Sequence, residues 1–320
     1  MNVLITGVAG FLGSHLADAF LREGAAVTGI DNLSTSSGQN LAHLQNDVRF
    51  RLIKDDVCEG IRHVGPPPQL ILHFASPASP VDYARDPVGT LNVNGSGTER
   101  CCKLAIAHCA RLVYASTSEV YGDPLVHPQP ETYWGNVNPV GARSCYDEGK
   151  RFGEAMVRAY RNRHRIDARI VRIFNTYGPR MRADDGRVVP TFIKQAMRGE
   201  ALTVFGSGTQ TRSLCYVDDL IEGIVRYSRI DDPAYDVLNL GSEQEIDVNE
   251  IARIVADLCG VELRTQNRPL PPDDPARRRP DLTRARAMLH WDPSTTLEKG
   301  LSETIAWFRS YAGTEKEIVS

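Results

Sequence analysis

The sequence predicts an α/β fold, a doubly wound Rossmann-type parallel sheet with a smaller C-terminal α/β lobe that would bind substrate. Three observations predict it. The chain opens with a short apolar run that enters glycines and then a helix-like stretch; further unbroken apolar runs follow at intervals filled by helical periodicity; and beyond residue 175 the pattern loosens into loops and isolated helices. Unbroken apolar runs suit strands covered on both faces, and intervening helices imply right-handed β-α-β crossovers.

NVLIT (2–6) is the first run, and FLGSHLADAFLREG (11–24) follows with helical spacing. AVTGID (26–31), VRFRLI (48–53), LILHFA (70–75), RLVYAS (111–116) and ARIVRIF (168–174) read as five more strands. NTYGPRMRADDGR (175–187) reads as loop, and the proline-rich stretch 271–281 as a polar connection. Helical segments fit 189–198, 217–229, 247–259 and 297–312. This divides the chain into a cofactor unit, 1–175 with about 215–241, and a substrate lobe, about 176–214 with 242–320. That lobe would fold over the carboxyl edge of the sheet, where open α/β sheets bind ligands.

Composition narrows the function classes. Of 320 residues, 42% are hydrophobic and 24% charged, and the net charge of −3 leaves no basic excess for non-specific nucleic-acid binding. The seven cysteines, at 58, 101, 102, 109, 145, 215 and 259, are odd in number and form no C-x-x-C pair, which points to a reducing compartment. No Cys/His group has ligand spacing, so no metal is expected. No apolar run nears the roughly 18 residues that span a membrane, and the first strand follows Met1 at once. The expected location is cytoplasmic.

GVAGFLG (7–13) places Gly7, Gly10 and Gly13 between a strand and a helix, with Phe11 and Leu12 inside the turn. Glycines suit a tight turn whose backbone must approach a pyrophosphate held on the helix N-terminus. Asp31 stands 18 residues past Gly13, at the end of the second run. Its carboxylate would accept from ribose hydroxyls and repel a 2′-phosphate, and the following NLSTSSG, with Asn32 and Ser34, contains no Arg or Lys. NAD is therefore expected rather than NADP. Asp56 and Val57, after the third run, and Phe74, Ala75 and Ser76, at the end of the fourth, are assigned to the same cleft.

Tyr146 and Lys150, in CYDEGKR, lie four apart and so on one helical face. A tyrosine has a reference pKa of about 10 and must be made more acidic to act as a base near neutrality; an adjacent ammonium favours that. Thr117, closing the preceding strand, is within reach of the same hydroxyl. An exposed i,i+4 pair is the plain alternative.

The G-x-x-G-x-x-G start, the Thr after a strand and Y-x-x-x-K together resemble the extended short-chain dehydrogenase/reductase family over almost the whole chain. The resemblance implies a permanently bound NAD beside a nucleotide-sugar, with oxidation at C4 as the shared first step. HFASPASP (73–80), STSEVYGDPLVHPQ (116–129), YWGNVNP (133–139), CYDEGKRFGE (145–154), RIFNTYGPRM (172–181), DGRVV (185–189), GSGTQTR (206–212) and RRRPD (277–281) are similar to the members that decarboxylate UDP-glucuronate. Members that dehydrate the sugar carry Thr-Asp-Glu where this chain has Thr117-Ser118-Glu119, and a serine hydroxyl is too weak an acid to protonate a departing hydroxyl. A C6 carboxylate needs no such acid once C4 is a ketone.

The resemblance further implies that Arg278 faces the sugar carboxylate, with Ser118 beside C6 and Glu119 positioning or handling a proton. From composition alone, a triple Arg in a proline-rich loop and a carboxylate at a strand end read as solvated. The nucleotide, UDP or TDP, would be met by Asn175, Arg187, Thr203, Phe205 and Arg212. The resemblance also implies a homodimer, joined through the helix around 87–108 and the helix of Tyr146. One departure stands out: LNVN (91–94) has Asn92 where many decarboxylases of this group have Lys, and Asn there resembles epimerases and dehydratases. A nucleotide-sugar 4-epimerase is the runner-up reading, ahead of a 4,6-dehydratase or a non-catalytic NAD sensor.

Overall fold

The structure, a computed structural model, describes residues 1–61, 65–231, 234–270 and 277–319, the last nine as backbone only. Six strands arise where apolar runs occur: β1 (Asn2–Thr6), β2 (Ala26–Asp31), β3 (Phe50–Lys54), β4 (Leu70–His73), β5 (Arg111–Thr117) and β6 (Ala168–Ile173). Short strands follow, β7 (Thr176–Tyr177), β8 (Leu202–Phe205), β9 (Thr211–Ser213) and β10 (Cys215–Tyr216), then β11 (Val237–Leu240), β12 (Glu245–Asp247) and β13 (Thr265–Arg268). The main sheet is wholly parallel in the order β11-β6-β5-β4-β1-β2-β3. Strand order reverses between β1 and β4, and the crevice beyond their carboxyl ends is where such sheets bind ligands.

Side-chain alternation builds two apolar layers. Val3 and Ile5 of β1, Leu70 and Leu72 of β4, and Val113 of β5 face one side. Leu4, Ile71, Leu112 and Tyr114 face the other. The first layer packs on α1 (Phe11–Arg22) through Leu16 and Phe20. It continues unbroken through Ile251 and Val255 of the later chain, so the apolar core on this side is one. The opposite layer packs on two later helices through Cys101, Ala105 and Val157.

The crossover after β4 contains α2 (Pro80–Arg85), capped by Ser79, and α3 (Pro87–Asn92), capped by the Asp86 carboxylate. Both helices begin with proline, whose missing N–H costs nothing there. The sequence predicts a single helix around 87–108. Instead a π-helical turn, Val93–Gly97, separates α3 from α4 (Thr98–His108). The wider turn presents Asn94, fully buried, whose Nδ2 donates to Ser76 Oγ (3.1 Å) and whose Oδ1 accepts from the Tyr114 hydroxyl (3.2 Å). Such turns recur at functional sites because they re-aim one side chain.

Helix α5 (Ser144–His164) follows β5 after a long loop, and α6 (Val188–Met197), α7 (Val217–Arg229) and α8 (Val248–Cys259) match the predicted segments within about two residues. Two helices complete the chain, α9 (Thr283–Leu289) and α10 (Leu297–Val319). Four differences from expectation have local causes. β4 ends at His73, so Phe74, Ala75 and Ser76 leave the sheet. β3 starts at Phe50 and is an edge strand with Arg51 and Leu52 exposed. The seventh strand, β11, and α9 are too short to stand out as periodic patterns. Of the proline-rich connection, 271–276 lie outside the described residues. No helix among the described residues is long and apolar enough to cross a membrane.

Candidate active site

One cavity of about 920 Å³ lies beyond the carboxyl ends of the strands, and every residue singled out from sequence lines it. Its floor is the turn from β1 to α1. Gly7 has φ +72°, and a Cβ there would lie 2.8 Å from the Ala75 backbone; a Cβ on Gly13 would meet the Gly7 carbonyl at 2.1 Å. Helix α1 has no side-chain cap at Gly10, so its first N–H groups remain for an anion. Phe11 and Leu12 complete this face.

Asp31 accepts from the Ala9 N–H (2.9 Å) and the Leu33 N–H (2.8 Å), one on each carboxylate oxygen. Burial raises its pKa against those two bonds, and each oxygen keeps a lone pair toward the cavity. Asp56 accepts from Asn32 Nδ2 (2.9 Å) and the Cys58 N–H (2.7 Å), holding Val57 and the Asn32–Ser34 loop against the cavity. A glycine floor, a bare helix start and an acid after β2 fit a dinucleotide such as NAD. Two guanidiniums that local sequence could not reveal also reach this loop. Arg85 donates to the Ser34 carbonyl (3.2 Å) and Arg182 to the Thr35 carbonyl (2.5 Å), while Arg182 also pairs with Asp82 (3.1 Å) and Asp184 (3.1 Å).

Tyr146 and Lys150 share the inner face of α5, and both are buried. Burial pushes the Tyr146 hydroxyl up to about 12; its hydrogen bond with Thr117 and the charge of Arg187 oppose that rise, while Glu119 reinforces it. Burial likewise pushes Lys150 down to about 7. The ammonium lies near the phenol ring and is anchored on the strand end. Lys150 Nζ donates to the Ala115 carbonyl (2.8 Å) and stands 5.9 Å from the centre of the Tyr146 ring. The strand-end carbonyl competes for it because β5 and α5 pack directly together. Tyr83 of α2, which sequence reasoning missed, stacks on Tyr146 with centroids 5.2 Å apart and planes within 10°.

Glu119 lies in a short turn, Ser118–Tyr121, that continues β5, with its N–H donating to Thr117 Oγ1 (3.2 Å). Its carboxylate is gripped by Arg278 on one oxygen and Arg143 on the other. Burial works to raise its pKa, but the two guanidiniums win and hold it well below the ordinary carboxylate range. The solvated readings of Glu119 and Arg278 are thereby corrected: Arg278 is 3% exposed, because Glu119 and the Gly122 carbonyl (3.1 Å) replace its water. Its Nε is buried without a partner, so the fork retains a donor. Arg143 was missed, although helical spacing, three before Tyr146, carried a signal. Asp147, one turn along and 3.8 Å from Arg143, has its pKa raised by burial and by the charge of Glu119.

Ser118 is buried beside this cluster. Residues from the later part of the chain line the far end of the cavity. Asn175 follows β6, and its carbonyl accepts from the Cys215 N–H (2.9 Å). Thr203 exchanges two hydrogen bonds with the Gln195 side chain. Phe205 stays 39% exposed on the cavity wall, and Arg212 donates to the Thr211 carbonyl (2.8 Å). Arg187 pairs with Asp185 (2.7 Å) at the start of α6 and acts on Tyr146, so it sits at the reacting end as well as in the expected nucleotide wall. Asn92 lines the cavity at the entry to the π-helical turn. Among the described residues no cluster of three or more His, Cys, Asp or Glu is placed to hold a metal.

Comparison with known proteins places this arrangement. The model of the NAD dependent epimerase/dehydratase family matches residues 3–241. UDP-glucuronic acid decarboxylase 5 of Arabidopsis thaliana is 47% identical over 317 residues, covering 99% of this chain and 92% of that protein. UDP-glucuronic acid decarboxylase 1 of Danio rerio is 48% identical over 309 residues, covering 96% of this chain and 72% of that protein. The crystal structure of UDP-glucuronic acid 4-epimerase from Bacillus cereus, in complex with UDP-glucuronic acid and NAD, superposes with a TM-score of 0.86 at 26% identity, covering 97% of this chain and 100% of that one. With a glycine-floored crevice at the strand reversal and a family match across three-quarters of its length, this chain belongs to the NAD dependent epimerase/dehydratase family.

Proposed function

We propose that this protein is an NAD-dependent decarboxylase of a nucleotide-diphospho-glucuronate, converting UDP-glucuronate to UDP-xylose. One observation carries the reading: two guanidiniums, Arg143 and Arg278, converge on one carboxylate, Glu119, two residues beyond Thr117. Two positive charges and one negative leave the trio with a single net positive charge. That complements one substrate carboxylate without over-stabilising it, and a carboxylate held too firmly would resist losing its electrons.

Tyr146 takes the proton of the C4 hydroxyl, and Thr117 orients the phenol. When bound, NAD would supply a reversible hydride acceptor for C4 and a positive charge that favours the phenolate. The residues that would hold it are the Gly7–Gly13 turn, Asp31, Asp56 with Val57, and Phe74 to Ser76. Once C4 is a ketone the sugar is a β-keto acid. The C5–C6 bond breaks, its electron pair enters the enolate, carbon dioxide leaves, and one proton is taken up at C5. Arg278 and Arg143 hold the carboxylate end, with Glu119 setting their spacing and Ser118 offering a hydroxyl but no acid. Asn175, Thr203, Phe205, Arg187 and Arg212 are assigned to the nucleotide and diphosphate, whose remote binding energy aligns C4.

The test is direct. Purified protein given UDP-glucuronate and NAD is expected to release carbon dioxide and a UDP-pentose, with TDP-glucuronate run beside it to decide the nucleotide. Recovery of a 4-epimer of unchanged mass, without carbon dioxide, would overturn the reading in favour of an epimerase.

We further infer a homodimer. Val88 and Leu91 on α3 and Phe152 on the adjoining α5 are apolar and 45% or more exposed, a patch a lone subunit would leave in water. Sedimentation is expected to give twice the 35.4 kDa chain mass at micromolar concentration, and a monomer would refute it. The seven free thiols fit a reducing cytoplasm. The two-lobed division at about 175, 215 and 241 is retained as the functional one.

A further inference from the structure

We propose that Gln129 is a positioning residue that docks the segment bearing Arg278, so that its guanidinium reaches the carboxylate end of the sugar pocket. The proposal rests on the uronate reading above. Arg278 comes from the connection before α9, not from a strand or helix of the sheet, so something must fix it. Gln129, in the loop between β5 and α5, is fully buried and bonds to that connection on both sides of Pro280. Its N–H donates to the Arg279 carbonyl (2.9 Å), its carbonyl accepts from the Asp281 N–H (3.0 Å), and its side-chain Oε1 accepts from the Arg279 N–H (2.8 Å). Its Nε2 donates back to the Val126 carbonyl (2.7 Å).

The dock is anchored to the sheet. Asn239 of β11 donates to the Gln129 carbonyl (2.9 Å) and accepts from the Tyr121 hydroxyl (2.8 Å). Tyr121 closes the turn that carries Glu119. One buried ladder thus ties both partners of the Glu119–Arg278 pair to a common frame. Glutamine suits the place because a single side chain there must accept from one backbone and donate to another. Methionine fills the same volume and does neither.

A merely structural glutamine would weaken every ligand alike, whereas a positioning one acts only through Arg278. On NAD-loaded protein, Gln129→Met is expected to weaken UDP-glucuronate binding about tenfold while leaving UDP within about twofold, and to add nothing in an Arg278→Ala background. Equal weakening of UDP and UDP-glucuronate, or the same further loss without Arg278, would overturn the proposal. Should Gln129→Met fail to unfold cooperatively, Gln129→Glu, which keeps the acceptor for Arg279, carries the same coupling test. A wild-type protein that binds UDP-glucose as tightly as UDP-glucuronate would instead contradict the uronate reading, so the two failures are distinguishable.

Discussion

Tyr146→Phe is expected to bind NAD normally and to lose about a thousandfold in turnover, within the range for removing a general base. The change deletes one oxygen from a side chain that is 6% exposed, and the ring keeps its stack on Tyr83. Folding should therefore survive, and the loss would be chemical. In the protein by itself burial holds the phenol near 12, too high to act as a base alone, and brings Lys150 near 7. The groups that favour phenolate are Thr117 and the cation of Arg187. Steady-state kinetics beside calorimetric titration with NAD checks this, and near-normal turnover would remove Tyr146 as the base.

Arg278→Ala is expected to have the next largest effect, lowering turnover with UDP-glucuronate by about a hundredfold or more and stability by about 3 kcal/mol, the lower end for breaking a buried pair because Arg143 stays. Without Arg278 the remaining pair is neutral, Arg143 against Glu119, and has no charge left for a substrate carboxylate. The variant should also respond differently to pH. In the wild type the Glu119 carboxyl is held below its unfolded value, so its contribution to stability is present above the ordinary range and lost only as pH falls through the lowered value. With one guanidinium gone, burial is less well opposed, so the folded variant takes up the Glu119 proton at higher pH than the wild type does. Urea unfolding between pH 7 and 4 should show the stability gap between variant and wild type narrowing on acidification, because a protonated Glu119 no longer lacks a partner; a constant or widening gap contradicts the assignment.

The inner strands were legible because their apolar runs are covered on both faces, and the glycine turn because its spacing is local. Tyr146, Lys150 and Thr117 could be found from short-range pattern for the same reason. Arg143 was readable from helical spacing yet passed over, since a charged residue in a polar loop ordinarily reads as solvated. Tyr83, Gln129, Asn239 and Arg182 had no local signal at all. Their roles come from contacts across about 60 to 150 positions of chain, which composition and periodicity do not encode. The turn at Val93–Gly97 was hidden because π-helical and α-helical sequences share the same apolar spacing there.

The most direct test of the account follows UDP-glucuronate deuterated at C4 through a single turnover. If a transient C4 ketone is what accepts the electrons of the departing carboxylate, carbon dioxide release should slow by a primary isotope effect and the label should return to C4 of the pentose. Release at an unchanged rate, with the label lost to solvent, would contradict it.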